Sequence, residues 1–412
     1  MKLVWLRGLA LSACVLLAAC AHREEGAVEL APPITILVSI DGFRPDYLNR
    51  GETPTLSRLA ETGVLAEVRP SFPSLTFPNH YSLVTGLRPD RHGVVNNRME
   101  EPLRPGVVFT LSDRVVGADP IWWEGGTPIW ITAERQGVRS ATMFWPGSDY
   151  ELQGTRPYRW RAFDQSLPDF ARVDVLLAWL DEPEPASFYT LYFDIVDTAG
   201  HRNGPDAPET TSAAAQVDAA LARLLAGLAT RGLEERVNFV IVADHGMAEV
   251  ADDRFIELDA VVSAEMARVV WDGPLAGVEP LAGREAEVEQ ALLGVHPHGE
   301  CWRKSEMPAR FHFGTHRRIP AIVCLAEIGW RYRSAQMRAY PGQTRGAHGY
   351  DPAAPEMAAL FIAHGPAFEE GVRLDTFDNV SIYPLIAHLI GVEPEENDGV
   401  LSDTARALVS PP

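Results

Sequence analysis

From residue 34 onward the chain repeats one pattern, in which a short apolar run is followed by a segment with helical spacing. The apolar runs are predicted to be strands at 34–40, 138–144, 188–193, 237–243 and 359–363. Segments with apolar residues every three or four positions are predicted to be helices at 54–62, 127–136, 169–180, 211–228 and 380–390. Strands that are apolar throughout are buried on both faces. The sequence therefore predicts an α/β fold with a central, mostly parallel sheet flanked by helices.

The stretch 252–345 interrupts this alternation with mixed polarity, clustered Trp and Pro, and two of the four cysteines. We interpret it as a smaller inserted subdomain. The main α/β domain then has a first part at 34–251 and a second part at 346–395, and residues 396–412 form a C-terminal tail.

The first twenty residues have the pattern of an export signal. Lys2 and Arg7 precede an apolar run too short to span a membrane. The run ends in Leu-Ala-Ala-Cys, which resembles a bacterial lipobox. This predicts a signal peptide at 1–19, lipidation of Cys20 and a tether over 20–33, in an exported outer-membrane lipoprotein facing the periplasm or the cell surface. Cleavage nearby without a lipid is the alternative.

The formal net charge is −20, and removal of the signal peptide changes it to −22 because Lys2 and Arg7 are lost. A surface this acidic disfavours binding to a nucleic-acid duplex or to anionic lipid. We therefore expect membrane contact through the lipid anchor only.

Cys301 and Cys324 remain once the signal peptide is removed and Cys20 carries a lipid. In an oxidising compartment an even pair of cysteines predicts a disulfide. Two buried free thiols are the alternative.

Metal-type side chains follow the predicted strands. Asp41 ends the first strand, Asp197 and His201 follow the third, and Asp244 and His245 end the fourth, while His348 comes directly after the insert. Ligands in open α/β sheets gather at the carboxyl ends of the strands. Three Asp and three His, divided into two sets of three, suit zinc. A single Asp at such a position is more often a cap or turn residue.

The segment Pro73 to His80 supplies a candidate nucleophile. Pro78 lies early in the following helical stretch, so Thr76 is predicted to be the helix N-cap. A helix N-terminus attracts phosphate. A role for Thr76 as a cap alone is the alternative.

Together these positions resemble the nucleotide pyrophosphatase/phosphodiesterase family of the alkaline phosphatase superfamily. The resemblance runs from about Ile34 to Ile390 and includes the segments around Thr76, Asn97, Trp145, Asp244 and His348. It implies an alkaline-phosphatase-like fold and zinc-dependent hydrolysis of a phosphodiester or pyrophosphate bond in a small substrate, with a nucleotide as the expected substrate.

The roles that the resemblance implies transfer position by position. One zinc is held by Asp197, His201 and His348, and the other by Asp41, Asp244, His245 and Thr76. Thr76 attacks phosphorus and forms a phospho-threonine intermediate. Asn97 donates to a phosphoryl oxygen, together with the backbone after Thr76, and Phe77 and Tyr192 contact the leaving nucleoside.

One segment departs from the family. Many animal members carry Glu-Pro-Asp where this chain has Ile195-Val196-Asp197, which leaves Asp194 as a second nearby carboxylate. Asp197 is preferred because it alone is four residues from His201, and so shares a helix face with it. The remaining histidines, such as His80, His92 and His296, are interpreted as solvated or hydrogen-bonded side chains.

Three other functions remain open. A phosphomonoesterase of the same superfamily needs additional cationic donors for the second phosphoryl charge, and the direction of Arg98, beside Asn97, is not determined by the sequence. A sulfatase needs a Cys-x-Pro-x-Arg segment, which is missing where Thr76 stands. A catalytically inactive envelope binding protein would keep the fold without an intact ligand set.

Overall fold

Strand β1, ITILVSI, lies at the centre of the largest sheet, and every one of its side chains is buried. A computed structural model describes residues 33–337 and 344–410. The predicted signal peptide, Cys20 and nearly all of the predicted tether lie outside the described residues.

The described residues form twenty strands and ten helices. The strands are β1 (Ile34–Ile40), β2 (Val64–Arg69), β3 (Arg98–Glu100), β4 (Val108–Thr110), β5 (Ser140–Met143), β6 (Arg159–Arg161), β7 (Phe188–Phe193), β8 (Val237–Val242), β9 (Ala248–Glu249), β10 (Phe255–Glu257), β11 (Ala267–Trp271), β12 (Leu275–Pro280), β13 (Gly294–His296), β14 (Gly299–Arg303), β15 (Ile322–Ala326), β16 (Arg331–Arg333), β17 (Gly346–Ala347), β18 (Ala359–His364), β19 (Val372–Arg373) and β20 (Phe377–Asp378). The helices are α1 (Pro54–Thr62), α2 (Thr76–Thr85), α3 (Pro89–His92), α4 (Arg114–Gly117), α5 (Ile129–Arg135), α6 (Asp169–Leu180), α7 (Ile195–Asn203), α8 (Pro208–Ala229), α9 (Glu285–Leu292) and α10 (Ile382–Ile390).

The large sheet has the order β19-β2-β18-β8-β1-β7-β5-β6, with β20 also pairing with β2. Only β18 runs against the other strands of this described sheet. The sequence prediction of a mostly parallel sheet is confirmed. In the register, Ile40 lies opposite Phe193 and Ser39 opposite Val242. The residues that follow β1, β7 and β8 therefore emerge at one edge of the sheet.

The longer helices flank the sheet in two groups. Helices α1, α6 and α7 contact α8, while α2, α5 and α10 contact one another. Helices α1 and α6 and strands β1 and β7 have the predicted bounds, and the other predicted elements agree to within three residues at each end. Among the described residues, none of the helices has both the length and the apolarity needed to cross a membrane.

Strand β2 was missed by the sequence analysis. Its side chains alternate between buried and partly or fully exposed, and Glu67 and Arg69 are exposed. A search for fully apolar runs overlooks such a strand, because β2 lies near the end of the sheet and only one of its faces is covered.

The predicted insert contains a second sheet, which is antiparallel and has the order β11-β12-β15-β14-β13. Cys301 on β14 and Cys324 on β15 are opposite each other in the register and form a disulfide. The hydrophobic cluster beneath this sheet also includes Ala248, Tyr350 and Met357. Its core therefore extends past both predicted boundaries of the insert.

The predicted C-terminal tail is packed against the main domain as far as the structure describes it. Ala407 and Leu408 are buried in the main hydrophobic cluster, and Asp398 pairs with Arg91. The segment contains few apolar residues, so the sequence did not predict this packing. Two buried side chains are enough to hold so short a segment against the domain.

Candidate active site

Three carboxylates meet where β1, β7 and β8 end. Asp41 directly follows β1, Asp244 lies two residues after β8, and Asp197 is in the first turn of α7, which begins after β7. Gly42 lets these loops approach closely. Its φ is +67°, and a Cβ there would lie 3.1 Å from the Cα of Asp197. Its amide donates a 3.2 Å hydrogen bond to Asp244 Oδ1.

The structure brings Asp197, His201 and His348 together, as predicted. His201 Nε2 is 3.0 Å from His348 Nε2, and each of these atoms is 3.5 Å from Asp197 Oδ1. Ligand atoms on one tetrahedral zinc lie about 3.3 Å apart, given zinc–ligand bonds of about 2.0–2.1 Å. The three atoms therefore fit the corners of one zinc polyhedron.

The second predicted set lies beside the first. His245 Nε2 is 3.0 Å from Asp244 Oδ2, 3.5 Å from Asp41 Oδ1 and 3.2 Å from Thr76 Oγ1. The His245 and His348 rings stack with centroids 3.5 Å apart, which joins the two sets.

Each of the three histidines is held in the same tautomer. The Nδ1–H groups of His201, His245 and His348 donate to the carbonyl oxygens of Gly346, Gly246 and Ser74, at 2.8, 2.9 and 2.9 Å. A carbonyl only accepts hydrogen bonds, so Nδ1 carries the proton and Nε2 presents a lone pair. Metal-binding histidines typically donate the other ring N–H to a carbonyl or carboxylate in this way.

The carboxylates carry unsatisfied oxygens. Asp41 Oδ1, Asp197 Oδ1 and Asp244 Oδ2 are buried and accept no well-aligned hydrogen bond among the described residues, although His245 Nε2 and His80 Nδ1 lie 3.0 and 3.2 Å from Asp244 Oδ2. Burial and the charges of Asp244 and Asp197 raise the pKa of Asp41 well above its usual range. Burial also raises the pKa of Asp197. Divalent cations would satisfy these oxygens and relieve the repulsion, so the donor set fits two metal ions.

His80 also belongs to this region, although the sequence analysis gave it no metal role. Among the described residues, two groups of three have ligand atoms that all lie within 4.8 Å of one another. One group is Asp197, His245 and His348, and the other is Asp41, His80 and Asp244. Both ring nitrogens of His80 are engaged, however. Nε2 is 2.8 Å from Ser39 Oγ and Nδ1 is 2.9 Å from the Thr76 carbonyl oxygen. We therefore assign to the site His245, whose unprotonated Nε2 faces Asp244 and Thr76. His92 and His296 are hydrogen-bonded elsewhere.

The sequence predicted that Thr76 is the N-cap of α2. In the structure, Thr76 is instead the first residue of that helix. Leu75 is the cap, with an extended backbone, and its carbonyl accepts from the Asn79 amide. The Thr76 hydroxyl makes no capping bond and instead faces His245. The prediction placed the boundary one residue late because Leu is not a typical cap residue.

Asn97 lies across from the start of α2. Its Oδ1 accepts from the Phe77 amide at 2.9 Å, which leaves the Asn97 amide group as a donor. The Phe77 N–H, the backbone donor directly after Thr76, is therefore already used, contrary to the sequence prediction for that segment. The Arg98 guanidinium donates to the Val270 carbonyl at 2.8 Å and pairs with Glu100.

Two residues near the site have partners that the sequence did not reveal. The Tyr192 hydroxyl donates to Asp41 Oδ2 at 2.6 Å. Asp194 accepts from the buried Arg172 at 2.8 Å and from Gln165 at 3.0 Å. Asp194 thus has its own cation, which supports the choice of Asp197 as ligand.

Two aromatic side chains near the site are partly exposed. Phe77 packs edge-on against Phe109, with ring centroids 5.7 Å apart. Phe163, which the sequence analysis did not single out, is 44% exposed and packs against Tyr192. An aromatic residue in a polar loop was the only sequence signal for Phe163.

The chain matches the family described as type I phosphodiesterase / nucleotide pyrophosphatase over residues 35–351. It is 38% identical to an uncharacterised pyrophosphatase/phosphodiesterase of Schizosaccharomyces pombe, over 88% of this chain and 78% of that protein. It is 35% identical to human bis(5'-adenosyl)-triphosphatase ENPP4, over 94% of this chain and 84% of that protein.

Solved structures of ectonucleotide pyrophosphatase/phosphodiesterases are also similar to this chain in fold. Human ectonucleotide pyrophosphatase/phosphodiesterase 5 superposes with a TM-score of 0.87 at 33% identity, covering 92% of this chain and all of that chain. The murine counterpart, as an inactive variant in complex with AMP, superposes with a TM-score of 0.86 at 33% identity, with the same coverage.

Proposed function

Because this chain belongs to the type I phosphodiesterase / nucleotide pyrophosphatase family, we propose that it uses two zinc ions and Thr76 to hydrolyse phosphodiester or pyrophosphate bonds in nucleotides. The observation that carries this proposal is the convergence of three histidine Nε2 atoms, three carboxylates that each have a buried oxygen, and the Thr76 hydroxyl.

Asp197, His201 and His348 would hold one ion, and Asp41, Asp244, His245 and Thr76 the other. Two zinc ions supply Lewis acidity, which lowers the pKa of a hydroxyl and stabilises charge on a departing oxygen. The fixed tautomers of the three histidines support this assignment, since each Nε2 is ready to bind without a proton transfer.

Thr76 Oγ1 is proposed to lose its proton and bond to phosphorus while the bond from phosphorus to the leaving oxygen breaks. The leaving group takes up a proton and departs as an alcohol or nucleotide. Water then attacks the phospho-threonine, the bond from phosphorus to Oγ1 breaks, and a proton given up by the water replaces the one that Oγ1 lost in the first step. The threonine is restored and a phosphate monoester leaves.

Asn97 and Arg98 bear on the substrate's charge. The Asn97 amide is a neutral donor held by its own bond to the Phe77 amide, and it would contact a non-bridging phosphoryl oxygen. Arg98 is engaged with Val270 and Glu100. A site for a monoester usually aims a cation at the additional phosphoryl charge. These contacts favour a diester over the phosphomonoesterase alternative.

Phe77 and Phe163 support a nucleotide as the substrate. Exposed aromatic rings provide stacking surfaces for a base. One relative is a bis(5'-adenosyl)-triphosphatase by name, and the murine structure holds AMP. We propose that Phe163 and Phe77 contact the leaving nucleoside. Tyr192 packs against Phe163 and orients Asp41 through its hydroxyl.

Export and anchoring remain a separate proposal that rests on residues 1–33 alone. The lipobox-like Leu-Ala-Ala-Cys supports lipidation of Cys20 and an outer-membrane location. A Cys20→Ala variant should move from the membrane fraction to the soluble fraction. Unchanged membrane association would contradict the anchor.

The deciding experiment for the function compares kcat/KM across dinucleoside polyphosphates, nucleotide sugars, other phosphodiesters and simple monoesters, with purified protein and zinc. We expect nucleotide diesters or pyrophosphates to be the best substrates. Equal or higher activity on monoesters would support the phosphatase alternative, and no activity on any of them would support the inactive binding protein.

A further inference from the structure

We propose that His80 is a positioning residue that holds Asp244 and the first turn of the nucleophile helix in fixed relation to each other. The inference rests on the proposed two-zinc function and adds to it a residue outside both ligand sets.

His80 contacts both parts of the site with one ring atom. His80 Nδ1 is 2.9 Å from the carbonyl oxygen of Thr76 and 3.2 Å from Asp244 Oδ2. Because the carbonyl is only an acceptor, Nδ1 carries a proton. That proton is donated to the Thr76 carbonyl, and the ring edge that bears it lies 3.2 Å from a carboxylate oxygen of Asp244, where its positive partial charge attracts the carboxylate.

The remaining contacts fix the ring. Ser39 Oγ is 2.8 Å from Nε2, which we assign as acceptor of the Ser39 hydroxyl proton. Trp145 and Tyr192 each pack edge-on against the ring, with centroids 5.1 Å away. The His80 side chain is fully buried. A ring that is hydrogen-bonded at both nitrogens and packed between two aromatic rings keeps one orientation. It can therefore hold the groups that it contacts in place.

His80 does not act as a ligand in this proposal. Its Nδ1 bears a proton and its Nε2 faces Ser39 on β1, so no lone pair is directed at Asp41 or Asp244. Its effect on the metal is indirect, through the orientation of Asp244. Removing an outer-shell partner of a metal ligand typically costs 10- to 100-fold in metal affinity or activity.

Two substitutions separate the roles of the two nitrogens. In His80→Asn the amide can occupy the position of Nδ1 and keep its donor, whereas in His80→Gln it reaches towards Nε2 and the Nδ1 donor is lost. His92 offers a matched control. It is also fully buried and its Nε2 is 3.0 Å from Ser82 Oγ, but its Nδ1 accepts from the Val94 amide.

The readout is stepwise zinc binding to apoprotein, measured by competition with a chromophoric chelator, together with kcat and KM for a diester. For His80→Gln we expect one of the two zinc sites to weaken 10- to 100-fold, with the other within threefold of wild type. The kcat should fall by a similar factor with KM within about twofold. His80→Asn should recover most of both losses, and His92→Gln should lose thermal stability with zinc affinities unchanged.

Three outcomes would overturn the inference. They are equal losses in His80→Asn and His80→Gln, equal weakening of both zinc sites, and complete loss of one ion in His80→Asn, which would make His80 a direct ligand. These outcomes are distinct from failure of the proposed function, in which the wild-type protein itself would bind no zinc or hydrolyse no diester.

Discussion

The Tyr192 hydroxyl donates a 2.6 Å hydrogen bond to Asp41 Oδ2, which leaves Asp41 Oδ1 turned towards His245 Nε2. Tyr192 lies on β7, and Asp41 directly follows β1. These two strands are neighbours in the sheet, so their parallel pairing sets this contact. The phenol thus selects which carboxylate oxygen faces the candidate metal site.

Tyr192→Phe removes this hydroxyl and keeps the ring. We expect kcat for a diester to fall about tenfold and zinc affinity to weaken, because Asp41 loses its orienting donor. A residue that only contacts substrate with its ring would tolerate this change. Phe163→Leu is the comparison, since it should raise KM for nucleotides and leave zinc affinity unchanged. The positioning role would be refuted if Tyr192→Phe left zinc affinity unchanged and raised KM while Phe163→Leu weakened zinc binding.

Thr76→Ala should abolish turnover, with kcat lowered by at least about a thousandfold, because the attacking oxygen is gone. The Thr76 hydroxyl makes no capping bond, so the free energy of unfolding should change by less than about 1 kcal/mol. Chemical denaturation and steady-state kinetics measure the two effects. Thr76→Ser keeps a hydroxyl and should keep measurable activity. A Thr76→Ala protein with near-normal kcat would exclude the mechanism.

Removal of metal should inactivate the enzyme, and zinc should restore activity with two ions bound per chain. Asp197→Asn should lose one of the two ions in elemental analysis. Asp194→Asn is the matched control. It should keep both ions and lower the unfolding free energy by about 2 kcal/mol, because the buried Arg172 then has Asp169, 3.7 Å away, as its remaining carboxylate partner among the described residues. A single ion in the wild type would contradict the two-zinc site.

Asn97→Ala should lower kcat/KM for diesters about a hundredfold, because it removes the neutral donor to the phosphoryl oxygen. Both zinc ions should remain bound. Arg98→Gln should leave the diester-to-monoester ratio within about threefold of wild type, since Arg98 is bonded to Val270 and Glu100. A large change in that ratio for Arg98→Gln would show that Arg98 reaches the substrate.

Glu101 gives a pH-dependent contribution to stability. Burial acts to raise its pKa, but hydrogen bonds from Arg317 and Arg318 lower it from 4.5 to about 2. A depressed pKa stabilises the fold above pH 4.5, and this contribution is lost as the pH falls from about 4.5 to about 2. Glu101→Gln should therefore be less stable by about 3 kcal/mol at pH 7, and the difference from wild type should shrink across that window. A constant difference in chemical denaturation would contradict this assignment.

The sequence by itself determined the central elements and predicted which side chains gather at the candidate site. Fully apolar runs report burial on both faces, and residues directly after such runs emerge at one sheet edge. This is why Asp41, Asp197, Asp244 and His245 could be named from local pattern alone. The four-residue spacing of Asp197 and His201 likewise needs only the geometry of one helix turn.

The tertiary structure decided which atoms face the site. The tautomer of each histidine depends on a carbonyl elsewhere in the fold, as with His348 and Ser74, which are far apart in the sequence. The contacts of His80, Tyr192 and Asp194 with Asp244, Asp41 and Arg172 were decided in the same way. Hydrophobic periodicity records whether a side chain is buried, whereas a hydrogen-bond partner is fixed by distant strands that meet only in the folded chain.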